Sequence, residues 1–158
     1  MLEQLKDESV WPIGFRLVGK EKQVGRWMTV VWTIEDVCLY GEEQKTTLAQ
    51  QPDGYVLPLQ LQLHERSDYR FNLSSRDPHL FVVCSEEGER LKPLLITAAQ
   101  GLAAGYMDGE YQILDMSIPL PVQAWMEAFI GRHGEQLDVR RKGNKDKRKE
   151  KKGLISGN

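Results

Sequence analysis

Apolar and polar side chains alternate with a period of two along several short segments of this chain, and that pattern limits it to a fold built on a β-sheet. Ile13, Phe15 and Leu17 share one face of the first segment, and residues 28–34 repeat the pattern in the second. The polar stretch 19–25 lies between them, so we expect it to be the loop of a hairpin. The sequence therefore predicts an antiparallel pair of strands as the first element of the fold.

Later segments continue the pattern. Leucines at every second position of 57–63 predict a half-buried strand, and Pro58, which cannot donate a ladder hydrogen bond, places it near an edge of the sheet. The apolar segments 80–84 and 94–97 flank a turn and predict a second hairpin. A last strand is predicted at 111–118. Together these segments indicate a mainly antiparallel sheet.

Helical periodicity is clearest after the last strand, where Pro119 and Pro121 suit the first turn because a missing N–H has no cost there. A shorter helix is predicted at 67–75 with Ser67 as its cap, and a weak one from residue 98. The long helix has an apolar stripe with a 3.6-residue period. Its members are Val122, Trp125, Met126, Phe129, Ile130 and His133.

The 158 residues fit one domain of the α+β class. We expect about six mainly antiparallel strands packed with two or three helices, the C-terminal helix being the longest. The predicted organisation is an N-terminal arm at 1–9, a globular domain at 10–138 and a disordered basic tail at 139–158. No internal repeat is visible. The chain has neither an apolar run that could span a membrane nor a secretory signal, so we expect it in the cytoplasm.

The predicted tail is set apart by its charge. Residues 140–152 hold nine Lys or Arg and two acidic residues, so the rest of the chain is acidic. Such a segment cannot bury enough apolar surface to offset the entropy of ordering it. Its candidate partner-binding residues are Arg140, Arg141, Lys142, Lys145, Lys147, Arg148 and Lys149.

Three of the four tryptophans lie within residues 11–32 and raise the question of core or binding surface. Trp32 belongs to the inward set of its strand and Trp125 to the stripe of the last helix, so we place both in the core. Trp27 and Val31 lie on the opposite face of the second strand. We expect the last helix to cover that face, and the alternative is that a partner does, which makes these two residues candidate contacts.

Residue patterns that carry chemistry are missing from the sequence. His64, His79 and His133 have no partner four residues away and no neighbouring cysteine, so a metal site finds no support. Cys84 lies in an apolar strand and is expected to be a buried, inert thiol. Neither a nucleophile elbow nor a glycine-rich phosphate loop is present. We therefore predict no catalytic residue, no metal and no cofactor, and we expect a protein that is not an enzyme.

Four stretches carry a family resemblance: residues 10–18, 25–32, 61–75 and 105–134. In their order and spacing they resemble the domain of unknown function family 3305, over most of residues 10–142. That family often has a His-His pair near the end of its last helix, where this chain has only His133 before Gly134, so no role for paired histidines transfers. The matching positions are Trp11, Pro12, Trp27, Trp32, Tyr69, Asn72, Leu73, Tyr106, Asp108, Pro119, Pro121, Trp125 and Phe129.

The resemblance implies a gene neighbourhood. Members of that family are typically bacterial proteins encoded beside formate dehydrogenase subunits and their accessory proteins. Our first hypothesis is a non-catalytic accessory protein for the maturation, assembly or regulation of formate dehydrogenase, which binds one of its subunits or another accessory protein. The second is a nucleic-acid-associated module whose basic tail neutralises phosphates. Against the second, the body is acidic and the tail has no aromatic residue to stack on bases.

Overall fold

The computed structural model describes residues 6–39, 51–107 and 109–135. The six strands are β1 (Val10–Val24), β2 (Trp27–Leu39), β3 (Gly54–Gln60), β4 (His79–Glu87), β5 (Arg90–Thr97) and β6 (Tyr111–Ser117). The three helices are α1 (Arg66–Leu73), α2 (Gln100–Ala104) and α3 (Leu120–His133), and a 3-10 turn at Leu63–Glu65 leads into α1. The predicted tail at 139–158 lies outside the described residues.

The strands form two units of the same topology. In the first, β1 is central, with β2 and β3 antiparallel on either side, and α1 follows. In the second, β4 is central, with β5 and β6 antiparallel on either side, and α3 comes last. The sequence shows no repeat, but the topology does.

The two units join in one sheet of order β2-β1-β3-β5-β4-β6. The junction is the parallel pairing of β3 with β5, at Leu59 and Ile96. The outer strands β2 and β6 also contact each other, so the sheet is nearly closed. The predicted α+β class, the six mainly antiparallel strands and the longest helix at the C-terminal end of the described chain are confirmed.

The core lies inside this curved sheet. Ile13, Phe15 and Leu17 of β1 point into it at alternate positions, as the period-two pattern predicted, and Trp11 continues the same line. Strand β4 supplies Leu80, Val82 and Cys84 from the other unit. Because both central strands face inward, the core is shared by the two units.

Helix α3 covers the core through the predicted stripe, of which Val122, Trp125, Met126, Phe129 and Ile130 are buried. Its first turn contains Pro121, and the helix ends before Gly134, whose φ of 86° is readily adopted only by glycine. The sequence also placed His133 in the stripe, but that side chain is exposed and lies against the ring of Phe129, 4.7 Å away between centroids.

Helix α1 is fixed by two buried polar side chains. The Asn72 amide donates to the carbonyls of His79 and Ala98 and accepts from the His79 N–H, which ties α1 to β4 and to the end of β5. The Tyr69 hydroxyl donates to Glu65 and accepts from the Gln62 N–H. The predicted cap was wrong, since the helix begins at Arg66 and Ser67 lies within it.

Two strand predictions need correction. Residues 19–25 are not a loop: β1 continues to Val24, and a two-residue turn at Gly25 and Arg26 leads directly into β2. Gly25 has a φ of 61°, as the first central residue of a type II′ turn requires. The polar side chains of residues 19–25 suggested a loop, but pairing with β2 continues the strand as far as Val24.

The second correction concerns Pro58, which lies inside the sheet and not near an edge. It stands opposite Pro12, and two residues without an N–H cannot exchange hydrogen bonds. The nitrogen of Pro58 therefore points away from β1 and toward β5. The pairing of β3 with β5 is at the next residue, Leu59. The proline is tolerated because the parallel junction is so short.

His79 links β4 and β6 at the surface. Its Nε2 lies 2.7 Å from Asp77 and its Nδ1 2.9 Å from Asp115, while the Ser117 hydroxyl donates to Asp77. The hydrogen bond to Asp77 raises the pKa of His79, partial burial opposes that rise, and Asp115 adds to it. The same contact with His79 lowers the pKa of Asp77.

These shifts predict a pH-dependent cost for His79→Gln. A raised folded-state pKa stabilises the fold fully below the unfolded value of about 6.5, and this contribution is lost as pH rises through the folded pKa. The substitution should therefore lower the free energy of unfolding more at about pH 6 than at about pH 9, measured by denaturant titration. His64→Gln provides the control, because His64 is exposed and lies outside the Asp77–His79–Asp115 network. If His79→Gln lowered the free energy of unfolding equally at the two pH values, the result would contradict a stabilising role for these hydrogen bonds.

Candidate functional site

The distal halves of β1 and β2 form a two-stranded ribbon, residues 19–24 and 27–33, that extends beyond the neighbouring strands. All of its residues are exposed except Trp32, which is half-buried. Strand β1 has 15 residues and β2 has 13, whereas β3 and β6 have seven each. The flanking strands are too short to accompany the hairpin, so the ribbon projects from the sheet.

The outer face of the ribbon combines apolar and basic side chains. Cross-strand pairing sets Lys20 opposite Val31, Lys22 opposite Thr29, and Val24 opposite Trp27. Trp27 is 79% exposed and Val31 41% exposed. The face is therefore an apolar strip on β2 beside two lysines on β1.

The inner face continues the line of core residues outward. Trp32 stands opposite Gly19, and a Cβ added to that glycine would meet the indole at 3.0 Å, so the ring lies on the glycine backbone. Further out, Val30 is opposite Glu21 and exposed, and Met28 is 61% exposed. The apolar surface thus runs from the core to the tip of the ribbon.

An ionic cluster holds the base of the ribbon. Arg16 donates to Asp36 at 2.6 Å and to Asp53 at 2.8 Å, which links β1, β2 and the start of β3. Asp36 has a φ of 54° at the point where the β1–β2 register shifts, so a β-bulge bends the hairpin there. The guanidinium lowers the pKa of Asp53, and the two carboxylates raise the pKa of Arg16.

The four tryptophans have different environments. Trp11 and Trp125 pack edge to face in the core, with ring centroids 5.4 Å apart, and the Trp125 indole N–H donates to the Asp7 carbonyl. Trp32 is half-buried against the same core. Trp27 is outside it. The predicted core positions of Trp125 and, in part, Trp32 are confirmed.

The expectation that the last helix covers the second face of β2 was wrong. Helix α3 packs on the core, and Trp27 and Val31 remain exposed. The alternation of β2 placed these two side chains on one face correctly, but no local pattern shows where a distant helix will pack. The basic candidates, from Arg140 to Lys149, lie outside the described residues.

Sequence reasoning missed other members of the surface, because residues 19–25 were taken as a loop. The residues missed for this reason are Lys20, Lys22 and Val24. Met28 and Val30 were assigned to the inward face of the second strand, but the ribbon carries them beyond the core, and both are exposed. One signal could have found them: residues 27–34 form an uncharged, proline-free stretch of high β-propensity. Such a stretch predicts a long strand.

The described residues bring together little that could do chemistry. Within 6–39, 51–107 and 109–135, no group of three or more His, Cys, Asp or Glu could hold a metal ion. Cys84 is fully buried, which confirms its predicted burial, and desolvation raises the pKa of its thiol to about 12. Among the helices of these same ranges, none has the length and apolarity to cross a bilayer.

The fold and the site define a class: a nearly closed α+β sheet domain with a projecting apolar and basic β-ribbon. The chain belongs to the DUF3305 family, whose model, described as a protein of unknown function, matches residues 15–143. No curated protein and no solved structure matches the chain. The matched range includes the whole ribbon and α3, so the resemblance inferred from the sequence is confirmed.

The two kinds of tryptophan environment predict losses of stability of very different size. Trp27→Ala should change the free energy of unfolding by less than about 0.5 kcal/mol, because the side chain is mostly exposed. Trp125→Ala should cost about 3–5 kcal/mol, because it leaves a cavity beside Trp11 and removes the bond to Asp7. Denaturant unfolding followed by circular dichroism measures both. A large loss for Trp27→Ala would mean that its ring is covered in the folded protein.

Proposed function

We propose that this protein is a non-catalytic accessory protein that helps mature, assemble or regulate formate dehydrogenase, and that it acts by contact. The observation that carries the proposal is the outward position of Trp27 and Val31 beside Lys20 and Lys22. The link to formate dehydrogenase comes from what the family resemblance implies about gene neighbourhood. Its partner is a formate dehydrogenase subunit or another accessory protein of the same cluster.

The composition of the outer face supports a protein partner. Tryptophan is enriched among the residues that dominate interface energetics, since it removes a large apolar area from water. Exposed apolar patches of this kind are the exception on monomers and commonly mark contact sites. Lys20 and Lys22, which lie opposite Val31 and Thr29, would form a polar rim, which steers encounter more than it adds affinity.

The contact also explains why the ribbon is held firmly at its base. A surface that binds by preformed shape loses less entropy on association than a mobile one. Arg16, through its bonds to Asp36 and Asp53, fixes the base, and the ring of Trp32 on Gly19 extends the packed region outward. The ribbon is therefore presented to a partner in a defined orientation.

Trp27→Ala should weaken the complex more than deletion of residues 139–158 does. Loss of a desolvated aromatic anchor costs about 2 kcal/mol or more, roughly 30-fold in Kd, whereas loss of rim charges mainly lowers the association rate and its salt sensitivity. Co-purification from native cells followed by mass spectrometry identifies the partner, and titration gives the two Kd values. Phe71→Ala is the matched control, because Phe71 is an aromatic residue of α1 that is 61% exposed.

A gene deletion tests the cellular role. Without the protein, formate dehydrogenase activity should fall under conditions where the enzyme is needed, and the Phe71→Ala variant should restore it better than Trp27→Ala. Unchanged level, assembly and activity of formate dehydrogenase in the deletion strain would show the accessory role to be wrong.

A nucleic-acid role, in which the basic segment at 140–152 neutralises phosphates, is the second candidate. The exposed Trp27, with Arg26 next to it in the chain, could stack on a base. We expect only electrostatic binding of DNA or RNA. Its affinity should be insensitive to sequence and should fall by orders of magnitude with added salt for roughly six or more phosphate contacts. Fluorescence anisotropy with several oligonucleotides at rising salt measures this. Sequence preference that survives at physiological salt would favour nucleic acid over a protein partner.

A further inference from the structure

The outer edge of β2 offers unpaired backbone along the ribbon. Within the described part of the chain, residues 27–33 pair with β1 alone, and β1 lies on the other side. The N–H and C=O groups of an edge strand are a template for pairing with another strand. This edge can therefore pair with another strand without using the outer face.

The edge carries none of the usual protection along its exposed length. Natural edge strands are protected from pairing with other chains by charged residues, prolines or bulges, or because they are short. From Trp27 to Ile34 the sequence WMTVVWTI has no charge and no proline, and the bulge lies beyond it at Asp36. By contrast β6, the other outer strand, has only seven residues and carries Asp115. An unprotected edge of this length is therefore open to pairing with another strand.

The charges at the two ends of this stretch identify the occupant. Arg26 precedes it, and Glu35 and Asp36 follow it. When a strand pairs antiparallel with its own copy, each end meets the opposite end of the other copy, so Arg26 of each copy comes within one position of Glu35 of the other. A parallel arrangement would bring like charges together. The stretch is self-complementary in the antiparallel direction.

We propose that two copies of this chain pair through the outer edges of β2, antiparallel and about a two-fold axis near Val30. Such a contact is isologous, since the same surface serves on both copies. Pairing centred on Val30 sets Trp27 opposite Thr33, and Met28 opposite Trp32, so aromatic rings meet β-branched or flexible apolar side chains. Two ribbons then become one four-stranded sheet.

The dimer goes beyond the proposed function and does not depend on it. Edge pairing uses backbone groups of β2 and leaves the outer face with Trp27 and Val31 open. It sets the outer faces of two ribbons side by side and doubles the surface available to a partner. A four-stranded sheet is also more stable than an isolated two-stranded ribbon, which is marginal in water.

Complementary charge reversals test the pairing. Arg26→Glu leaves carboxylates at both ends of the stretch, and Glu35→Arg leaves a basic residue at both ends. Each variant alone should dimerise at least about tenfold more weakly than the natural protein, whereas a mixture of the two should form a heterodimer with opposite charges at both ends. Sedimentation velocity gives the dissociation constants, and a fluorescent label on one variant identifies the heterodimer.

Arg90→Glu is the matched control, because Arg90 lies beside the corresponding turn of the β4–β5 hairpin and is exposed. It should leave the dimer unchanged. Formation of the heterodimer in the mixture shows that both ribbon variants are folded. The inference is overturned if the natural protein is monomeric at about 100 μM, if Arg26→Glu and Arg90→Glu act alike, or if mixing produces no heterodimer.

Discussion

The short parallel junction between β3 and β5, at Leu59 and Ile96, is the constraint on which the rest of the structure depends. It joins two antiparallel units that each have a central strand and a following helix. Because the sheet continues through the junction, its outer strands β2 and β6 curve toward each other and enclose one core. Helix α3 then covers that core with Trp125, Met126 and Phe129.

The ribbon follows from the same geometry. The β1–β2 hairpin is about twice as long as β3 and β6, so its distal half has no strand beside it. Such a ribbon needs support at its base, which the bonds of Arg16 to Asp36 and Asp53 provide. Exposed apolar side chains on both of its faces are a cost to a free protein and are understandable as part of a contact surface.

Much of the fold could be predicted from the sequence, because its strands and its last helix have strong periodic patterns. The inward positions of β1 and the stripe of α3 depend on local alternation, which a sequence displays directly. The extension of the hairpin through residues 19–25 could not be predicted, because polar residues there pair with an apolar partner strand. The interior position of Pro58 was also hidden, since it depends on where a distant strand joins the sheet.

The candidate site was predicted in part. Alternation placed Trp27 and Val31 on one face of β2, but it could not show that α3 packs elsewhere and leaves that face open. Lys20 and Lys22 joined the site only when the strand pairing set them opposite Val31 and Thr29, respectively. The internal similarity of the two units depends on the pairing of strands far apart in the sequence, so only the structure shows it.

Hydrogen exchange measured by mass spectrometry tests the central claim, that the ribbon is a folded but uncovered contact element. For dilute protein, we predict much faster exchange in peptides from residues 19–33 than in peptides from β4, whose amides lie in the core of the sheet. In the complex isolated from native cells, the ribbon peptides should become protected while those of the β4–β5 turn stay unchanged. A ribbon as protected as β4 in the dilute protein, or one unaffected in the complex, would contradict this account.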